Sequence, residues 1–152
     1  MHMRRLAGLS TGLLALALTA AHAQDNDPTL EGVWSAERYV MRAGPTHEVA
    51  GRIFFTEGEW TVLFFVMGDD GEPHRGSAEG GTYTLRGEEL VFSHLFHLSQ
   101  GEEMPELPDS PLRMTVTPAA EAATEPSTIE VLGDQLTIFF PSGNSLQFRR
   151  VE

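Results

Sequence analysis

Thr82-Tyr83-Thr84-Leu85-Arg86-Gly87-Glu88-Glu89-Leu90-Val91-Phe92 decides the fold, because its pattern returns at Thr128-Ile129-Glu130-Val131-Leu132-Gly133-Asp134-Gln135-Leu136-Thr137-Ile138. In both stretches a β-prone run enters a Gly followed by an acid, and a second β-prone run begins. The Gly supplies the positive φ of a tight hairpin turn, and the acid keeps the tip in water. Glu57-Gly58-Glu59 and Asp69-Asp70-Gly71 give the same signal elsewhere. Two copies of a hairpin are what any meander contains, so the echo describes architecture rather than a repeat array.

Outward from these hairpins the same rhythm covers the rest of the chain. Strands are predicted at Gly32–Arg42, Val49–Thr56, Glu59–Met67, Gly80–Leu85, Glu89–Leu98, Leu112–Thr117, Ser127–Leu132, Gln135–Phe140 and Ser145–Val151. They are short, dense in β-branched and aromatic residues, and separated by Gly, Asp, Glu and Pro. No stretch sustains a helical period. Gly101–Pro111, with three prolines and four acids, and Pro118–Pro126 read as loops, and the first is placed to cover one end of a barrel. The fold class expected is all-β: about eight to ten antiparallel strands in a sandwich or a barrel, of which closure into a barrel would leave no strand edge exposed.

The N-terminus belongs to a different category. Arg4 and Arg5 precede an uncharged Leu- and Ala-rich run, Leu6 to Ala20, and then Ala21-His22-Ala23. That is the three-part pattern of a secretory signal peptide, residues 1–23, cleaved before Gln24. The run is shorter than a membrane-spanning helix requires, so no span is expected after cleavage. A flexible lead-in, residues 24–29, then precedes one domain, residues 30–152. The exported product is expected in the periplasm or outside the cell. It has no cysteine, so its core must hold without disulfides. Two of the ten basic residues precede the cleavage site, leaving eight against 22 acids, a net charge of −14. A field of that sign repels phosphate backbones, which excludes nucleic acid as a partner.

Alternation assigns faces. In Glu59–Met67, Trp60, Val62, Phe64 and Val66 oppose Thr61, Leu63, Phe65 and Met67, so both faces are apolar. One face can line an interior; the other needs a loop, a terminal segment or a second copy, and a homodimer is one expectation. In Glu89–Leu98, Leu90, Phe92, His94 and Phe96 share a face. His94 and His97, three apart, fall on opposite faces unless a bulge intervenes. His94 is the one histidine expected to point inward; His47 and His74 are read as solvated loop residues. Arg38, Arg52 and Arg113 fall among strand residues, and outward display is the expectation for each.

No catalytic residue, metal set or cofactor motif emerges. Asp69-Asp70-Gly71-Glu72 with His74 lacks the ligand spacing of a calcium loop, and there is no zinc pattern. There is no cysteine and no Gly-x-Ser-x-Gly elbow to supply a nucleophile.

Gly32-Val33-Trp34 opens the first strand and Arg149-Arg150 sits in the last. This pairing resembles the signature of the lipocalin superfamily, which implies an up-and-down barrel with the indole plugging one end and an arginine lying across it. More specifically, the chain is similar to bacterial lipocalin-like domain proteins. The matching segments are Gly51-Arg52-Ile53-Phe54-Phe55-Thr56-Glu57-Gly58, Gly81-Thr82-Tyr83 and Phe92-Ser93-His94. It departs from their pattern in Phe55 for Tyr, Glu57 for Asp, and a longer acidic loop at Gly101–Pro111. The resemblance implies a barrel that holds a small hydrophobic molecule, and no substrate. Trp60, Phe64, Tyr83, Phe92, His94, Phe96 and Phe148 are the ligand-binding residues expected to line it. Two alternatives stand beside this: an envelope interaction module with a filled barrel, and a small barrel isomerase or cyclase using His94 or Glu37.

Overall fold

The structure, a computed structural model, describes residues 29–152. The signal peptide expected at 1–23 and nearly all of the lead-in lie outside the described residues. Nine strands form: β1 (Gly32–Val40), β2 (Thr46–Thr56), β3 (Glu59–Met67), β4 (Pro73–Arg86), β5 (Glu89–Gly101), β6 (Ser110–Val116), β7 (Thr124–Leu132), β8 (Gln135–Phe139) and β9 (Ser145–Arg150). Each of β1 to β5 pairs antiparallel with the next, β5 pairs with β7, and β7, β8 and β9 follow in order back to β1. Eight strands thus close an up-and-down antiparallel barrel, as the hairpin rhythm and the resemblance led us to expect. β6 is the ninth and stands outside the closed ring.

The turns are the ones the glycines require. Gly87 and Gly133 take φ of 60° and 64° at the first turn position, and Glu57-Gly58 takes 42° and 86°. These are the primed turns whose twist matches that of the flanking strands.

β6 and β7 are two halves of one partner for β5. β7 pairs from Glu89↔Thr128 to Ser93↔Thr124, and β6 from Phe96↔Val116 to Gly101↔Ser110. Between them residues 117–123 leave the ladder and return, with one 3-10 turn at Ala119–Glu121. Pro118–Pro126 is therefore not loop throughout, since Thr124 to Pro126 belong to β7.

β8 is the shortest strand, and it meets β7 only from Thr128 onward. Ile129 donates its N–H to Glu88, on the β5 side, so the alternate residue Pro126 faces the β8 side, where β8 is absent. A residue without an N–H suits that position. The wall is left with a notch bounded by the start of β7 and the β8–β9 turn.

The end opposite the notch is solid. Trp34, Phe55, Leu30, Leu90 and Leu136 are each less than 2% exposed. Trp34 Nε1 donates to Leu30 O at 2.8 Å, and the Arg150 guanidinium lies 4.0 Å above the indole centroid. Arg150 also donates to the carbonyls of Glu31 and Thr29 at 2.9 and 2.8 Å. Of the two arginines expected at this end, Arg150 covers the ring. Arg149 instead binds Glu37 and Asp134, at 2.7 and 2.8 Å.

Candidate functional site

One local irregularity builds the site. Along β4 and β5, Gly81 pairs with His94 but Gly80 pairs with Phe96, so Leu95 is the extra residue of a β-bulge. A bulge inverts the face of everything beyond it. Phe96 turns outward and is 43% exposed, while His97 turns inward beside His94. The expectation that His94 and His97 lie on opposite faces is thereby corrected. The cause is the Gly80-Gly81 pair opposite. A Cβ at Gly81 would lie 1.9 Å from Ser93 O, and one at Gly80 would lie 2.3 Å from the Phe96 ring. Only glycine permits that approach.

Glu79 sits between the two imidazoles. Its Oε2 lies 3.1 Å from His94 Nδ1 and its Oε1 lies 3.3 Å from His97 Nδ1, while Ser77 Oγ donates to Oε1 at 2.8 Å. Burial, the largest single influence, pushes the Glu79 carboxyl up. The hydrogen bonds from His94 and Ser77 and the two imidazole charges outweigh it and hold the group below its ordinary value. The bond to Glu79 raises His94, against a smaller burial effect. Glu125, on the inner face of β7 opposite Phe92, is raised by burial, with His94 opposing and Glu79 adding to the shift.

These groups rim a cavity of about 200 Å³ that opens at the notch. Its walls are Tyr39, Ile53, Trp60, Val62, Phe64, Phe92, Ile138, Phe140, Leu146 and Phe148; its polar rim is Glu79, His94, Glu125 and Ser142. Trp60 stands edge-on to His94, with centroids 5.2 Å apart, and 4.5 Å from Phe92. Asn144 fixes the β8–β9 side by donating to the Tyr39 hydroxyl at 3.1 Å and accepting the Arg42 N–H at 2.9 Å.

Among the residues expected to line the interior, Trp60, Phe64, Phe92, His94 and Phe148 come together around this cavity. Tyr83 does not, because its ring packs on Phe55 at 5.1 Å toward the solid end. Phe96 does not, because the bulge turns it out. Glu37 is held by Arg149 away from the cavity, and Arg38, Arg52 and Arg113 are exposed as expected.

Two other histidines depart from the loop reading. His47 is on β2, buried, with Nε2 2.9 Å from Pro105 O. His74 is on β4, between Asp70 at 3.1 Å and Glu102 at 2.9 Å. With Arg75, which donates to Glu102 O and Pro108 O, these contacts bind the 102–109 loop onto the barrel end. The expected cover of that end by the acidic loop is what the structure shows.

On the outside, β3 keeps its second apolar face uncovered among the described residues. Leu63 and Phe65 are 46% and 39% exposed, continuing onto Leu98, Leu112 and Met114.

No family model matches the chain, and no curated protein matches it. Two solved structures are similar. A lipocalin-like protein from Bacteroides uniformis ATCC 8492 is 18% identical with a TM-score of 0.47, over 80% of this chain and 98% of that one. An uncharacterized protein from Bacteroides eggerthii DSM 20697 is 15% identical with a TM-score of 0.46, over 81% of this chain and all of that one.

Proposed function

We propose that this is an exported binding protein whose barrel holds one small, largely apolar molecule; the periplasm or the cell exterior is the compartment the N-terminal pattern suggests. The observation that carries this reading is the division of the interior into a solid half and a hollow half. An eight-stranded barrel has just enough room for its own side chains or one small guest. Here the ten wall residues leave about 200 Å³ unfilled, with the few polar groups gathered at the opening. Apolar walls with convergent polar groups at one rim are the usual make-up of a ligand site. The test is extraction of the protein purified from its own host, read by mass spectrometry. A recurring small molecule is expected from the native protein and none from Val62→Phe, which fills the cavity. Repeated recovery of nothing, with no thermal shift from any single-ring compound, overturns the reading.

A second reading, an interaction module, has its own observation on the outer surface. β6 pairs only with β5 among the described residues, so its other edge carries unpaired backbone groups beside the Leu98–Leu112–Met114 face. An edge strand of that kind pairs antiparallel with its own copy about a two-fold axis. Sedimentation velocity is expected to show dimer at high concentration and monomer for Met114→Lys. Monomer at every concentration removes this reading.

A further inference from the structure

The binding reading above leaves the guest's chemistry open, and resting on that reading we propose that the cavity selects a single-ring amine, taken up as its ammonium with the charge at Glu125 and Glu79 and the ring among Trp60, Phe92 and Phe148.

Three independent features of the cavity point there. The first is size. An apolar cavity of roughly 150 Å³ admits benzene, while drug-sized ligands occupy roughly 300–1,000 Å³. At about 200 Å³ the space takes one ring with a short tail, and it excludes a long acyl chain or a porphyrin.

The second is charge. No Arg lines the cavity, and lysine is absent from the whole sequence. Two carboxylates, Glu79 and Glu125, and the His94 imidazole line the cavity, so with both acids ionised they carry −2 or −1 according to the state of His94. A carboxylate head group would be repelled by that rim and would find only the imidazole to pair with. An ammonium finds two carboxylates and the faces of Trp60 and Phe92, the combination of groups that attracts a desolvated cation.

The third is an unmet demand at Glu125. Glu79 is already held by His94, His97 and Ser77, but Glu125 makes no hydrogen bond or ion pair to a described residue. A half-buried carboxylate without a partner costs stability, and a cation arriving beside it removes the cost.

Linkage fixes the pH behaviour. The titratable groups facing the guest are Tyr39 on β1, Glu79 on β4, His94 on β5 and Glu125 on β7, with His97 on the far side of Glu79; β2, β3, β8 and β9 contribute no titratable side chain. An ammonium binds the ionised form of Glu125 and competes with a protonated His94. Raising the pH ionises the first and discharges the second, so both titrations strengthen binding, and uptake at mildly acid pH releases protons.

The experiment is titration calorimetry of the mature protein with 2-phenylethylamine, 3-phenylpropionate and 2-phenylethanol at pH 8, repeated at pH 6 in buffers of different ionisation heat. The amine is expected to bind about tenfold or more tighter than either congener. Glu125→Gln is expected to lose that preference while still binding the alcohol. At pH 6 the measured heat should depend on the buffer. If the alcohol or the carboxylate binds as tightly as the amine, or Glu125→Gln leaves the order unchanged, the amine assignment is overturned and the binding reading survives. If none of the three binds the native protein, the amine assignment is overturned, and the binding reading falls with it only where host extraction also recovers nothing.

Discussion

The two ends of this barrel are built from the same strands and obey opposite rules. At the solid end, the Trp34 N–H has a carbonyl to donate to, the Arg150 guanidinium has two carbonyls and a ring, and the core side chains are almost wholly buried. At the notched end the strands run unequal distances, a bulge redirects β5, and a half-buried acid has no partner. The first arrangement maximises burial and gives its indole and guanidinium their partners, which is how a fold is held together. The second forgoes both. A barrel that gains its stability at one end can leave the other hollow and charged, where a guest supplies what is missing.

If that division is right, substitutions at the two ends differ in sign as well as size. The largest effect belongs to the solid end. Trp34→Ala empties the plug and orphans both Leu30 O and the Arg150 stack, and is expected to cost about 3–5 kcal/mol in urea unfolding. A loss below about 1 kcal/mol would show that the plug does not anchor the fold.

Gly81→Ala comes next. It sets a methyl against Ser93 O and is expected to cost about 2–3 kcal/mol. It should also disturb the imidazole NMR signals of both His94 and His97, because the bulge brings them to one carboxylate. Unchanged histidine signals would disconnect the bulge from the site.

The smallest effect is the most discriminating, because it is a gain. Glu125 has a raised pKa in the fold, so stability falls as the pH climbs past the carboxyl's ordinary value, where the unfolded chain ionises first, and the loss is complete above the raised value. Glu125→Gln should therefore raise the midpoint of thermal unfolding by about 2 °C at pH 7 and leave it unchanged at pH 4. The Glu79–His94 pair has the opposite shape. Glu79 is depressed below 4.5 and His94 raised above 6.5. The pair therefore stabilises most between those values, fading as acid protonates Glu79 and as base discharges His94. Thermal melts across pH 4 to 9, with Glu79→Gln as the control, read this out. A flat difference between native protein and Glu79→Gln would remove the pair from the account.

The solid end was legible in the sequence because it is local: Gly32-Val33-Trp34 and the Arg149-Arg150 pair announce themselves. The notched end was not, for one physical reason. Glu79 and Glu125 escaped notice there, and His47 and His74 were read as loop, because each lies outside the predicted bounds of its strand. β4 was expected from Gly80 and begins at Pro73; β7 was expected from Ser127 and begins at Thr124; β2 was expected from Val49 and begins at Thr46. His, Ser, Gly, Glu and Pro have little β propensity, and these extensions exist because neighbouring strands recruit them into the ladder. The bulge left one trace, two adjacent glycines inside a strand, which is what a close backbone approach looks like in a sequence.

The excursion at residues 117–123 leaves and rejoins a single ladder, so the pairing on either side does not meter its length. Ala123, its last residue, accepts the N–H of His94 at 3.1 Å. Extra chain inserted near Ala119–Glu121 would lengthen a loop at a cost of only about 0.6 kcal/mol per doubling. An environment-sensitive dye grafted there would sit one strand away from the rim and report on occupancy, with neither end of the barrel needing to be redesigned.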